Sequence, residues 1–406
     1  MYDVMAGVRV IEVAEHTFVP AASMILADWG ADVIKIERTT AGGDPGRNLA
    51  IPNSGRDGRN MFFEAGNRGK RSLALDLTQA EGRAILRRLV ETADVFITNL
   101  RADARAKLGI EPADIAAINP RIVYARGTGY GLRGAMANDG GFDFPSSWCR
   151  SGSGYMQTRP GLEPPQQPGS VGDLGGGATL AGAVAAALFR RERTGQGAVV
   201  DNALYLFGIY LMSQSMAAAG MGLDRGPNGG RDEAFSAMVN LYRTKDDRWI
   251  SLCLLMDRWW PDLLQHLGRT DLLDDPRYKD AAARFENRRA LIREFDEVFL
   301  AHDFAWWKDK LATLEGVWAP LQSPAEVIAD PQALENGFIT RIEDGDGQGY
   351  LGGASPAQFD ERPIGALRTA PRYGEHTGSI LAELGIAGEE AAALHGAGIV
   401  RLPDAA

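Results

Sequence analysis

Short runs of β-branched and apolar residues alternate, along the first half of the chain, with longer stretches whose apolar positions recur at helical spacing. Val8-Arg9-Val10-Ile11-Glu12-Val13 predicts a strand. Pro20 predicts the opening of a helix at its first position, which Ala21 to Trp29 continues and Gly30 stops. Ala31 to Glu37 predicts a second strand. The pattern then repeats. Arg71 to Leu77, Asp94 to Leu100 and Arg121 to Ala125 read as strands. Thr78 to Thr92 reads as an amphipathic helix with Ala84, Leu86, Leu89 and Val90 on its inward side. Short strands alternating with helices imply an α/β fold with a mostly parallel, wound sheet. The loop from Arg38 to Asn60, rich in Gly, Arg and Asp, has the length of a functional loop.

Further along, a long apolar stretch from Ala178 to Phe189 predicts a helix. Ala203 to Leu223 carries no charge and is long enough to span a bilayer, but Ser213, Gln214, Ser215 and several glycines dilute it, so it reads as a buried helix. Asp224 to Arg231 has the Gly, Pro and Asn content of a linker or mobile loop. Val239 to Tyr242 and Trp249 to Leu252 flank Lys245-Asp246-Asp247 as a hairpin, and helical patterns rich in Trp, Asp and Arg fill Asp257 to Asp330. This part reads as a smaller α+β domain. Short strands follow from Phe338 to Pro371, then a final helical segment from Thr377 to His395. The expected division is a large domain over 1–223, a small domain over 224–335, and a return to the large domain over 336–406.

Composition narrows the class. At 406 residues the chain exceeds one ordinary core. A net charge of −10 without a long basic run argues against a nucleic-acid scaffold, yet leaves room for local basic pockets that hold phosphates. Cys149 and Cys253 stand far apart without metal-ligand spacing, which argues against a disulfide framework or a zinc site and fits a cytoplasmic protein. The opening Met1-Tyr2-Asp3-Val4 has neither a basic nor an apolar leader pattern. No GxGxxG follows the first strand, and there is no Walker A sequence, so the usual dinucleotide and nucleotide phosphate loops are missing.

The most informative local feature is Gly172-Asp173-Leu174-Gly175-Gly176-Gly177. A carboxylate just ahead of a helix and free of crowding side chains is open to a bulky electrophile, and a helix N-terminus favours an anion. The same residue also reads as an ordinary Asp helix cap, and the two roles are compatible.

Several segments in order resemble the class III CoA-transferase family, which includes formyl-CoA transferase and α-methylacyl-CoA racemase. Gly7 to Val13, Pro20 and Ala27 to Arg38 are similar to its N-terminal signature. Asn67 to Leu77 and Asp94 to Leu100 are similar to the next two. Gly141-Phe142-Asp143, Trp148 and Ser151-Gly152 precede Gly172-Asp173 in the family's order, and Thr194 to Gly197 and Gly374 to Thr377 also match.

The resemblance implies a Rossmann-like large domain and a smaller domain, with two chains threaded through each other as an interlocked homodimer. It implies Asp173 as nucleophile, coenzyme A as substrate and product, acyl-CoA and a carboxylic acid as partners, and no metal, nucleic acid or membrane. For CoA contact it implies His16, Thr17, Arg38, Leu75, Asn99, Leu100, Lys107, Phe142 and Asp143. Formyl-CoA transferase has a glutamine at the place of Thr17, so the acyl substrate is left open. The family's racemases carry a histidine at the place of Phe142, and a phenyl ring moves no proton, which disfavours an isomerase. A non-catalytic acyl-CoA-binding protein is the second alternative, disfavoured by the retained Asp173, and an unrelated nucleotide-binding enzyme is the third, disfavoured by the missing phosphate-loop motifs.

Overall fold

The computed structural model describes residues 2–52, 55–56, 59–223, 226–227 and 229–403. It divides into two compact units. The first comprises Met1–Tyr155, Pro165–Asp224 and Asp330–Ala406; the second comprises Met156–Pro164 and Arg225–Ala329.

The first unit is built on β1 (Arg9–Val13), α1 (Phe18–Asp28), β2 (Asp32–Glu37), β3 (Arg71–Ala74), α2 (Ala80–Glu91), β4 (Val95–Thr98), β5 (Val123–Thr128), α3 (Val171–Thr194) and β6 (Ala198–Ala203). Its six strands lie in the order β3-β2-β1-β4-β5-β6 and every pair is parallel. The chain winds outward from β1 to β3, then restarts beside β1 at β4. That reversal opens a crevice at the carboxyl ends of β1 and β4, where α/β sheets bind ligands. Neighbouring residues on one strand serve opposite layers. Val10 and Val33 pack with α1 and α3, whereas Ile11 and Ile34 pack with Leu86 and Leu89 of α2 and with Ile380 and Leu381. A sheet buried on both faces accounts for the near-continuous apolar strands.

Helix α1 is buried along its whole length. Pro20 sits at its third position, not its first, which costs nothing because first-turn N–H groups have no intrahelical acceptor. In α2 the inward residues are Ile85, Leu86, Leu89 and Val90, with Ala84 exposed. Two larger differences from expectation concern the apolar stretches. Ala203 to Leu223 is not one buried helix: Ala203 ends β6, and α4 (Leu204–Leu211) and α5 (Ser213–Gly220) leave Leu206, Tyr210 and Leu211 exposed, Tyr210 at 72%. Thr377 to His395 is two helices, Thr377–Glu383 and Glu389–Gly396, interrupted at Gly385, whose φ of 75° is left-handed.

The second unit carries a three-stranded antiparallel sheet in which Trp249–Cys253 lies between Val239–Arg243 and Val317–Pro320. Tyr242, Phe295, Phe299 and Trp307 fill its core. Asp224, Arg225 and Asn228 of the expected loop over 224–231 lie outside the described residues, as do Asn53, Ser54, Asp57 and Gly58 of the loop over 38–60.

Candidate active site

Helix α3 begins at Val171 behind Ser170, so Asp173 stands in its first turn and does not cap it. The glycines around Asp173 serve packing more than openness. A Cβ on Gly176 would lie 2.8 Å from the Phe18 ring, and one on Gly177 would lie 2.8 Å from the Ala21 Cβ. One on Gly175 would run into Phe207, and one on Gly172 into Ser147 and Asp143. The glycine run thus lets α3 press onto α1 and onto the turn of helix at Phe144–Cys149.

That close approach brings a second carboxylate to the first. Asp143 is buried; its Oδ2 accepts the Gly172 N–H at 2.9 Å, and its Oδ1 accepts Gln167 Nε2 at 3.1 Å and the Ser147 hydroxyl. Among the described residues nothing donates a hydrogen bond to the Asp173 side chain. Burial, and then the neighbouring Asp143 charge, push the Asp173 carboxyl up to about 7. Such a group is part protonated and part nucleophilic carboxylate near neutral pH.

At the carboxyl ends of the strands lies a cleft of about 170 Å³, lined by Ala14, Glu15, Arg38, Asp44, Leu75, Leu100 and their neighbours. Four of the residues expected from sequence meet at this cleft. Arg38, Leu75 and Leu100 line it, and Asn99 holds its wall by accepting the Glu15 N–H at 3.0 Å and donating to the Glu15 carbonyl at 2.7 Å. The half-exposed Arg38 donates Nε to the Gly43 carbonyl at 2.9 Å and stands 3.8 Å from Glu15 Oε1. Leu75 is buried and bridges Val400. Lys107 is exposed on the helix Ala102–Leu108 and does not line the cleft, although Leu108 does. A larger cavity of about 1230 Å³ includes Leu174 and Ala178 in its wall but not Asp173.

The loop from β1 to α1 joins cleft and nucleophile. His16 adopts φ 64°, a left-handed conformation uncommon for a side-chain-bearing residue. Its N–H is held by Asp44 Oδ1 at 3.0 Å, which also accepts the Gly46 N–H at 2.8 Å. The His16 ring meets Phe142 edge to face at 5.2 Å, and Phe142 precedes Asp143. Thr17 is buried at the N-cap of α1 without a side-chain capping bond. Trp148 is buried and Tyr155 exposed.

Beneath the loop lies a charge network that sequence reasoning did not single out. Lys35 Nζ contacts Asp44 Oδ2 at 2.8 Å, Glu12 Oε1 at 2.7 Å and the Ala14 carbonyl at 2.8 Å. Lys70 Nζ contacts Glu12 Oε2 at 2.6 Å, the Pro20 carbonyl and Asn67 Oδ1. Burial alone would favour the neutral forms. The Lys35 ammonium outweighs it at Asp44, and Lys35 with Lys70 outweigh it at Glu12, holding both carboxyls below the usual range. Burial wins at Lys70, pushed down to about 8. The signal was present: Glu12 between Ile11 and Val13, and Lys35 between Ile34 and Ile36, are charged residues set between apolar neighbours inside strands.

The sequence model of CoA-transferase family III matches residues 5–377. The chain is similar to (R)-2-hydroxy-4-methylpentanoate CoA-transferase of Clostridioides difficile, 28% identical over 94% of this chain and 95% of that protein. It is similar to succinate–glutarate CoA-transferase of Agrobacterium fabrum, 32% identical over 94% of this chain and 95% of that one. In structure it resembles a CaiB/BaiF family protein from Brucella suis, with a TM-score of 0.81 and 30% identity over 94% and 99% of the two chains.

Proposed function

Because the chain belongs to CoA-transferase family III, we propose that it moves CoA from an acyl-CoA donor to a free carboxylic acid through covalent intermediates on Asp173. The observation that carries this reading is the half-buried Asp173 carboxyl, raised to about 7 beside Asp143, in the first turn of α3.

One thioester replaces another, so the exchange is nearly isoenergetic and the difficulty is kinetic. Asp173 Oδ attacks the thioester carbonyl and CoA thiolate leaves, giving an aspartyl–acyl anhydride. The thiolate attacks the aspartyl carbonyl, releasing the donor acid and leaving an aspartyl-CoA thioester. The acceptor carboxylate attacks that thioester and expels CoA thiolate, which then takes the acyl group from the second anhydride and restores Asp173. Each step exchanges one acyl bond for another, with no change of oxidation state.

Arg38 and the cleft at Leu75, Asn99 and Leu100 fit the charged and adenine ends of CoA, with His16, Thr17, Phe142 and Asp143 toward the nucleophile. Lys107 is left for the outer phosphates. Phe142 in place of a proton-transferring histidine favours transfer over racemisation. The exposed apolar side chains of α4 and α5 support a homodimer, and two free, exposed cysteines fit a cytoplasmic enzyme.

The test is capture of the aspartyl-CoA thioester. During turnover hydroxylamine should convert it to a hydroxamate on the peptide containing Gly172-Asp173-Leu174. Near-native transfer by Asp173→Ala with an identified substrate pair would end this reading.

A further inference from the structure

Side chains pin two consecutive peptide planes of the loop between β1 and α1, each at both ends. In the first plane the Ala14 carbonyl accepts Lys35 Nζ at 2.8 Å, and the Glu15 N–H donates to Asn99 Oδ1 at 3.0 Å. In the second the Glu15 carbonyl accepts Asn99 Nδ2 at 2.7 Å, and the His16 N–H donates to Asp44 Oδ1 at 3.0 Å. These backbone groups belong to no strand or helix, so side chains supply the partners that secondary structure does not. Lys35 comes from β2, Asp44 from the loop after β2, and Asn99 from the end of β4. Asn99 alone serves both planes. Asp44 also holds the Gly46 N–H and the buried Lys35, whereas the Asn99 side chain makes no other hydrogen bond among the described residues.

Fixing both planes fixes the turn that follows them. His16 stands at φ 64°, a conformation that a side-chain-bearing residue keeps only where its surroundings over-determine it. The stretch so held faces two ways. Ala14 and Glu15 line the cleft, and the His16 ring meets Phe142. We propose that Asn99 is a positioning residue: its amide acts on the ligand of the cleft through residues 14–16, which it holds in the binding shape before the ligand arrives. This rests on the transferase reading only in taking that ligand to be CoA. With Asn99 in place the wall is already ordered, and binding carries no ordering cost there. Without it the Glu15 peptide groups turn to water, His16 relaxes toward negative φ, and the ligand has to restore the turn.

The test compares Asn99→Ala with the wild type, and repeats the comparison in a His16→Gly background. In the free protein the His16 amide keeps its own acceptor, Asp44, yet its exchange should accelerate at least about tenfold in Asn99→Ala. Calorimetric titration with CoA should show affinity about tenfold weaker at unchanged stoichiometry. Glycine adopts the left-handed turn without strain, so Asn99→Ala should lose at least about threefold less affinity in the His16→Gly background. Unchanged exchange at His16 overturns the proposal. So does an affinity loss equal in both backgrounds, the result that direct contact between Asn99 and CoA would give. Lowered stoichiometry at unchanged affinity overturns it too, since that is the mark of a partly unfolded sample. If the wild type binds no CoA, the transferase reading fails, and faster exchange at His16 in Asn99→Ala still supports Asn99 as the residue that sets the turn.

Discussion

The carboxylate of Asp143 accepts the Gly172 N–H at 2.9 Å, so a second carboxyl group is fastened to the residue immediately before Asp173. Burial and this neighbour together hold the Asp173 proton to about pH 7. The ionised form is the nucleophile, so kcat/KM should rise with pH through a midpoint near 7. Between pH 6 and pH 8 the ionised fraction grows about tenfold. Asp143→Asn keeps an oxygen for Gly172 but removes the like charge, and should move the midpoint downward while burial keeps it above the ordinary carboxylate range. A flat profile from about pH 5.5 to 8 would sink this assignment.

The same shift bears on stability. Asp173 binds its proton more tightly folded than unfolded, so stability should fall as pH rises from the ordinary Asp range, near 3.8, through about 7. Asp173→Asn, a neutral copy of the protonated form, should therefore be more stable than the wild type at pH 8 by roughly 2 kcal/mol, with the gap closing near pH 4. Asp173 caps nothing, so no capping loss offsets the gain. Thermal melts across this range decide it; a less stable variant at pH 8 contradicts the prediction.

Asp44 holds the left-handed His16 N–H with one oxygen and the buried Lys35 with the other. Asp44→Ala should cost about 3 kcal/mol of stability by leaving a buried ammonium short of a partner. It should also loosen the wall of the cleft. Hydrogen exchange at 14–17 should accelerate, and CoA affinity should fall about tenfold. Unchanged exchange in that segment would remove Asp44 from any positioning role.

CoA binding should weaken with salt, and Arg38→Ala should weaken it further, by about 1 kcal/mol for a half-exposed cation at low ionic strength. Calorimetric titration at two salt concentrations is the measurement. Equal affinity of variant and wild type takes Arg38 out of the site.

The apolar face of α4 and α5 should be covered by a second copy of the chain. Sedimentation at nanomolar concentration should give a dimer, and Tyr210→Glu should weaken or abolish it. A folded, active monomer refutes the dimer.

What was legible in the sequence followed from local physics. The parallel sheet was readable because strands buried on both faces show as apolar runs at Val10-Ile11 and Val33-Ile34. Arg38, Leu75, Asn99 and Leu100 were expected from the resemblance to the CoA-transferase family and not from local pattern, and each of them ends or follows a strand. Three things were not legible. The start of α3 was hidden because glycine has low helix propensity, and only the approach of Phe18 and Ala21 explains a helix through Gly175 to Gly177. The exposure of α4 and α5 was hidden because an apolar sequence does not say whether its own chain buries it. The bridge from Lys35 through Asp44 to His16 was hidden because its members are brought together only when β1, β2 and the following loop assemble.

The cleft is finished by residues far along the chain. Leu75 pairs with Val400, Asp76 donates its N–H to Ile399, Arg401 donates to Ala74, and Thr39 reaches the Gly398 carbonyl. A ribosome delivers these partners only after the whole intervening second unit has been made. During synthesis the edge of β3 therefore waits unpaired for more than three hundred residues, a long interval for an exposed strand. The second unit, drawn mostly from one continuous stretch, has no such wait. Vectorial synthesis thus assigns this protein an order of assembly in which the cleft at Arg38, Leu75 and Leu100 closes last, and nascent chains stalled short of residue 398 present it open.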